Sequence, residues 1–383
     1  MSERARASGP RTVQLLMSLA LLGEVEDEWR RLAERAGAPF LTPEWHRAWL
    51  AHHPRARPLV GVVRDGDGGV LGVLPLVSTR HGVLRVLHFA GDDLGDAFGP
   101  LCAEGESRRE IARLIAQAIA AGPAGWDLIV LGFIDLEAAW HPAFADALGG
   151  RISAIERRRA QCPVIDVAGA NWTDYLAGRS RGFRKETRRR RRRVDEDESS
   201  RFIGPGDDDA EASTQTLFRL HDMRWNGRGG SDIDARSRLG LADFNAAAAV
   251  RGWLQLWQLE LDGRPVASEL AWRVGGRQTH FQGGFDPDYA PRGVGLVLFA
   301  HVVEDGFGNG ADSLDLGRGI SAYKMQFATG MREATTLILV RSGHPLRPLI
   351  GLAMIALRLM KSLPRERVAG LRSRLGRLRR RPR

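Results

Sequence analysis

One stretch, Leu261 to Ala328, leaves this chain few folds to choose from. Ahead of it, Trp253 to Leu261 alternates as a strand does, Asp262-Gly263 is a tight-turn signal, and Pro265 to Val274 reads as the strand coming back. A second turn at Gly275-Gly276 leads into Gln278 to Phe285, a third strand whose paired glycines mark a bulge or a close backbone approach. After Asp286 to Pro291 comes Arg292-Gly293-Val294-Gly295, and Leu296 to Gly306 then reads as a buried helix. Glycines in such a turn let backbone N–H groups face a ligand, and the positive end of the helix dipole lies behind them, an arrangement that suits a diphosphate. Taken alone, the same four residues equally describe a plain loop-to-helix turn.

The first half of the chain repeats this order. Val13 to Leu22 reads as a first strand and the start of a helix, residues 24 to 36 as an amphipathic helix, and Thr42-Pro43-Glu44 as an N-cap with proline at the first position of a helix to His52. Trp45 and Trp49 fall on one face of that helix, as core residues do. Pro58 to Arg64 and Val70 to Ser78 form a hairpin about Asp65 to Gly69, and Val83 to Phe89 is a third strand. Ser107 opens a capping box before a helix to Ala121, and Trp126 to Phe133 is a strand. Asp92, Asp93 and Asp96 lie between, but they miss the calcium-loop pattern and its terminal glutamate, so a solvated turn is expected and no metal site. The first copy lacks an Arg-Gly-x-Gly turn.

A chain of 383 residues with 43% apolar residues supports two packed cores. The expected division is a first domain at 1–165, a second at 166–343 with a basic helical insertion at 174–200, and a helix with a basic tail at 344–383. Cys102 and Cys162 are far apart and have no pairing or metal spacing, which excludes a disulfide scaffold and makes a reducing cytoplasm the expected setting. The N-terminal apolar run holds Gln14 and Ser18 and lacks a cleavage site, and no run is long enough to span a membrane.

The net charge of +10 is concentrated. Arg188 through Arg193 are consecutive, with Arg179, Arg181, Arg184 and Lys185 before them and Asp195 to Glu198 after. Six arginines in a row cover every face of a helix, and the acidic residues can neutralise them at three- and four-residue spacing. A solvated, self-neutralising helix and a contact for a phosphorylated carrier, RNA or anionic lipid both fit; aromatic interleaving is confined to Phe183. The apolar helix Pro348 to Met360 and the arginine-rich Arg365 to Arg383 fit packing on the body followed by a tail, or peripheral contact with an anionic membrane.

Arg292-Gly-Val-Gly295 before a helix, then Ser313 to Leu316, Gly317-Arg318-Gly319 and Tyr323-Lys324, resembles the acyl-CoA-binding core of the GNAT acyltransferases. Pro39 to Trp45, the arginine helix at 184–193, Arg224-Trp225 and Asp315-Leu-Gly-Arg-Gly319 narrow the resemblance to the Fem-like, double-domain branch often described as cellulose or exopolysaccharide biosynthesis acetyltransferases. It spans roughly residues 39 to 330. The resemblance implies an α/β (α+β) tandem GNAT fold, with two mixed, mostly antiparallel sheets flanked by helices. It further implies acetyl-CoA or another acyl-CoA as co-substrate, no metal, and a small-molecule or carrier-linked acceptor presenting an amine or hydroxyl.

Acyl transfer from a thioester needs a site for the diphosphate, a base for the nucleophile and a proton donor for the leaving thiolate. Arg292, Gly293, Val294 and Gly295 are the candidates for the first, and the resemblance puts Tyr323 at the last. His280, Asp315 and Glu269 are candidates for the base; on a regular strand His280 shares a face with Gln282. Trp225, Gln282, Arg318 and Lys324 are candidate substrate contacts. Two other readings remain: a Fem-like transferase using aminoacyl-tRNA, contacted by the arginine helix, and a non-catalytic binding or scaffold subunit in polysaccharide synthesis.

Overall fold

A computed structural model describes residues 9–122, 125–149, 152–167, 169–225 and 233–341. The helix and tail expected beyond residue 344, and most of the turn after Trp225, lie outside the described residues. In the first half, β1 (Thr12–Leu16), α1 (Leu19–Leu22), α2 (Glu26–Ala36) and α3 (Pro43–Ala51) precede the hairpin of β2 (Arg57–Arg64) and β3 (Val70–His81). There follow β4 (Leu84–Phe89), β5 (Leu101–Cys102), α4 (Arg108–Ala121), β6 (Leu128–Asp135), α5 (His141–Ala147) and β7 (Ile152–Asp166).

The second half begins with α6 (Trp172–Ala177), α7 (Arg181–Asp195), β8 (Ser200–Ile203), α8 (Ala210–Trp225) and α9 (Ala235–Val250). Then come β9 (Leu254–Leu261), β10 (Arg264–Val274), β11 (Arg277–Phe285), α10 (Val294–Gly308), β12 (Ser313–Asp315), α11 (Ala322–Phe327) and β13 (Gly330–Arg341). Caps read from sequence hold: the Thr42 side chain accepts from the Trp45 N–H, and that of Ser107 from the Glu110 N–H.

The internal repeat is visible in the topology. In each half a hairpin and a third strand are followed by a helix and a strand parallel to that third one: β4 with β6 around α4, and β11 with β12 around α10. The strands expected as two sheets run on as one, in the order β1-β2-β3-β4-β6-β13-β7-β12-β11-β10-β9-β8. The junction is β13, which lies antiparallel between β6 and β7. Isoleucines of α4 pack onto β2 and β3 at Gly61 and Gly72, where a Cβ would stand 2.4 Å and 2.6 Å from the methyls of Ile115 and Ile111. In the second half α10 is buried along most of its length against β9, β10 and β11, and α8 with α9 packs on the other face. No described helix is long and apolar enough to cross a membrane.

One side-chain cluster fastens the halves together. Arg332 of β13 donates to Asp315 Oδ2 at 2.7 Å and 3.0 Å and to Asp96 Oδ1 at 3.3 Å, all three residues being buried. Asp96 also accepts the Arg318 backbone N–H at 3.0 Å. The loop at Asp92 to Asp96 is therefore not simply solvated as its composition suggests, because its last carboxylate anchors the second half.

Candidate active site

The turn that precedes α10 is built as its sequence requires. Gly293 is the N-cap of α10 at φ +71°, a conformation that costs a residue with a side chain. It offers no side-chain cap, so the first N–H groups of the helix are left for a ligand. Arg190 of α7 lies over this turn, its Nη1 only 2.6 Å from where a Cβ at position 293 would be, and its Nε is held by Glu186 at 2.5 Å. Gly295 faces the Phe285 ring, 3.0 Å from an added Cβ. Arg292 itself turns away, paired with Asp197.

These residues line a half-open cavity of about 210 Å³ whose other walls include Arg224, Glu269, Ala290, Leu296 and Tyr323. Glu269, on β10, accepts or shares a proton with His280 on β11, Oε2 to Nε2 being 2.6 Å, and both are about 5% exposed. Gly283 makes room for that carboxylate: a Cβ there would be 2.3 Å from both its oxygens. The other ring nitrogen of His280, Nδ1, is buried and has no partner among the described residues. Tyr323 packs edge-on against Phe299, which in turn meets His280 edge-on. Burial first, and the Glu269 charge second, raise the Tyr323 hydroxyl above its ordinary value, against the pull of Arg224, so it is a neutral O–H at physiological pH.

Register separates residues expected together. Between Leu270 and Ala271 the pairing of β10 with β11 slips by one: Leu270 opposes Gln282 while Ala271 opposes His280, and Phe281 is the extra residue. His280 therefore points with Glu269, while Gln282 points with Leu270 to the other face; the shared face expected of a regular strand is lost at this bulge. Asp315 pairs with Thr279, the neighbour of His280, and so lies on the face opposite the cavity, bound by Arg332 and by the Gly317 N–H at 2.9 Å.

Arg318 and Lys324 belong to that second cluster. Arg318 donates to the carbonyls of Asp93 and Gly95 and stands 4.3 Å from the centre of the Phe133 ring. Lys324 Nζ donates to the Arg318 carbonyl at 3.3 Å; burial lowers its pKa, with Asp96 and Asp315 opposing. Trp225 is not among the residues lining the cavity; its ring centre stands 5.6 Å from the Arg224 guanidinium.

Arg190 was hidden in the arginine run, although a signal for it exists. Phe183, Thr187 and Val194 are buried at helical spacing, and the stripe they draw along α7 passes through positions 190 and 191. Arg191 accordingly reaches Glu304 of α10 at 2.5 Å.

Residues 181–325 match the family model described as an acetyltransferase (GNAT) domain. No curated protein matches the chain. Among solved structures it is similar to FemX, with a TM-score of 0.62 and 11% identity over 85% of this chain and 98% of that one. It is similar also to the C-terminal domain (DUF2156) of a putative lysylphosphatidylglycerol synthetase from Agrobacterium fabrum, with a TM-score of 0.53 and 14% identity over 88% of this chain and 95% of the other. A conserved protein of unknown function from Bacteroides thetaiotaomicron gives 0.51 at 10% identity, over 86% and 100%. These likenesses are of fold. Arg190, Arg224, Glu269, His280, the glycine turn and Tyr323 all fall inside the matched span. The chain thus has a GNAT-type α/β fold, and residues 181–325 within it match an acetyltransferase (GNAT) domain.

Proposed function

We propose that this cavity moves an acyl group from an acyl-CoA to the amine or hydroxyl of a small or carrier-linked acceptor. The carrying observation is that the uncapped glycine turn of α10, Glu269, held from behind by His280, and Tyr323 share one cavity. Backbone N–H groups at Val294 to Leu296 and the Arg190 guanidinium supply the donors and positive charge that a diphosphate needs.

In the reaction so read, the Glu269 carboxylate takes the proton of the acceptor as its nitrogen or oxygen bonds to the acyl carbon. The C–S bond breaks and the Tyr323 O–H gives its proton to the departing sulfur, after which Tyr323 recovers a proton from Glu269. One N–H or O–H and one C–S bond are lost; one C–N or C–O and one S–H are gained. His280 orients the carboxylate. Asp315, on the other face, is a structural anchor in this reading, and Arg318 and Lys324 hold the junction between the halves. The first half, without a matching glycine turn, acts as scaffold and acceptor-facing wall, and a cytoplasmic setting fits the supply of acyl-CoA.

The aminoacyl-tRNA alternative would rest on the arginine helix. Part of its charge is engaged within the body: Arg189 pairs with Glu186, Arg191 reaches Glu304 of α10, and Arg190 lies over the glycine turn. This favours a helix that packs and covers the turn.

Calorimetric titration with acetyl-CoA and CoA tests the donor. Binding by the wild type that is lost in a folded Gly293→Glu, Gly295→Glu variant is expected; no binding by folded wild type would overturn the acyl-CoA reading. Given turnover, Glu269→Gln should lower kcat by about a hundredfold with acetyl-CoA affinity kept.

A further inference from the structure

Most arginines around the cavity already have a carboxylate. Arg190 has Glu186, Arg191 has Glu304 and Arg292 has Asp197. Arg224 is the exception. It ends α8 on the cavity wall, and among the described residues it forms no ion pair; its Nη1 donates to the Gly283 carbonyl at 2.8 Å, and its side chain also meets the Tyr323 hydroxyl.

That bond and two rings hold it in place. The guanidinium stands 5.2 Å from the centre of the Phe285 ring and 5.6 Å from that of Trp225. A half-buried, oriented guanidinium with five N–H donors keeps part of its fork unspent, and planar N–H pairs match carboxylate and phosphate oxygens. The nearby carboxylate, Glu269, is engaged with His280.

The position of Arg224 assigns it to one substrate. Arg190 approaches from α7 and lies over the glycine turn. Arg224 comes from α8, is tied to β11 at Gly283, directly opposite Glu269 in the sheet, and acts on Tyr323. It is thus beside the base and the acid.

We infer that Arg224 reads an anionic group on the acceptor, so that the acceptor carries a carboxylate or phosphate close to its nucleophilic amine or hydroxyl. This rests on the acyl-transfer reading and narrows its substrate class. A planar fork fixed at one end positions the acceptor as well as attracting it, which should raise the reaction of a charged acceptor above that of its neutral analogue.

The experiment compares matched acceptors with acetyl-CoA as donor: alanine against alaninamide, and glucosamine 6-phosphate against glucosamine. Each is assayed for transfer and titrated calorimetrically into CoA-saturated protein, so that an unreactive pair still reads out. The wild type should favour the anionic member of at least one pair, and the pair that responds distinguishes carboxylate from phosphate. Arg224→Gln should remove that preference, with a loss of about 10- to 100-fold in kcat/KM or affinity for the anionic member. The neutral member should lose less than the anionic one, so the readout is the ratio of the two, and Arg224→Lys should be intermediate. No preference by wild type in either pair, or an equal loss for both members in Arg224→Gln, would overturn the inference. A loss confined to acetyl-CoA affinity would reassign Arg224 to the donor. Failure of the parent reading looks different, since wild type would then not bind acetyl-CoA at all.

Discussion

Arg190 lies across Gly293, so closely that a single methyl group at position 293 would press on its guanidinium at 2.6 Å. The two residues come from different helices, and the missing side chain of one is the space used by the other. Gly293→Ala meets both this contact and the left-handed backbone of the cap at φ +71°. We expect a stability loss of about 1–2 kcal/mol from the backbone and weaker acetyl-CoA binding from displacement of Arg190. Thermal melts beside calorimetric titration would check it; unchanged donor affinity would mean that Arg190 has no part in the donor site.

Tyr323→Phe removes one oxygen from a ring packed against Phe299. The fold should tolerate this, while kcat falls by about a hundredfold and the KM for acetyl-CoA changes little. Because burial, then Glu269, raises the hydroxyl above its ordinary value of 10.0, the tyrosine stays protonated and competent as pH rises toward that value. A descending limb below pH 10 that vanishes in the phenylalanine variant would contradict this.

Arg332→Met would leave Asp315 and Asp96 buried together without their cation. Burial, and then Asp315, already raises the pKa of Asp96. A loss of roughly 3–5 kcal/mol is expected in urea unfolding near pH 7. It should shrink at low pH, where Asp96, its carboxyl already raised by burial, can take up a proton; a variant as stable as wild type at neutral pH would show that the cluster is dispensable.

His46 supplies an acid-sensitive term far from the cavity. Buried against Trp29, its Nε2 unpartnered, it has a pKa lowered from 6.5 to about 3, by desolvation first and by Arg47 and His88 next. Below pH 6.5 the unfolded chain takes up a proton that the folded chain refuses, so stability falls as pH falls, down to about pH 3. At pH 5 the cost is ~2 kcal/mol. Urea midpoints at pH 7 and pH 5 for the wild type and His46→Gln would test it; an equal acid loss in both proteins would remove His46 as the cause.

Much of the frame could be read from residues alone, since hairpin turns, caps and apolar periodicity are local signals. Asp262-Gly263, Thr42 and Ser107 each announce an element boundary, and the structure puts them there. The strand at Ile152–Asp166 gave no such notice, because Glu156 and three arginines interrupt its alternation. What stabilises it is pairing with β13 and β12, a long-range contact that no local pattern encodes. At the site, the Gly293–Gly295 turn and Tyr323 were legible through their resemblance. The partnership of His280 with Glu269 depends on one extra residue in a strand, and paired glycines could signal that bulge without fixing its register.

The place of β13 between β6 and β7 has a consequence for synthesis. Until residues 330–341 leave the ribosome, β6 and β7 of the nascent chain each wait with an unpaired edge. The first half cannot finish its sheet before the second is translated, so neither half is released as a closed body and folding must wait on contacts of high sequence separation. Stalled or truncated chains ending before Gly330 should therefore be the forms that need chaperone protection and that aggregate through those edges.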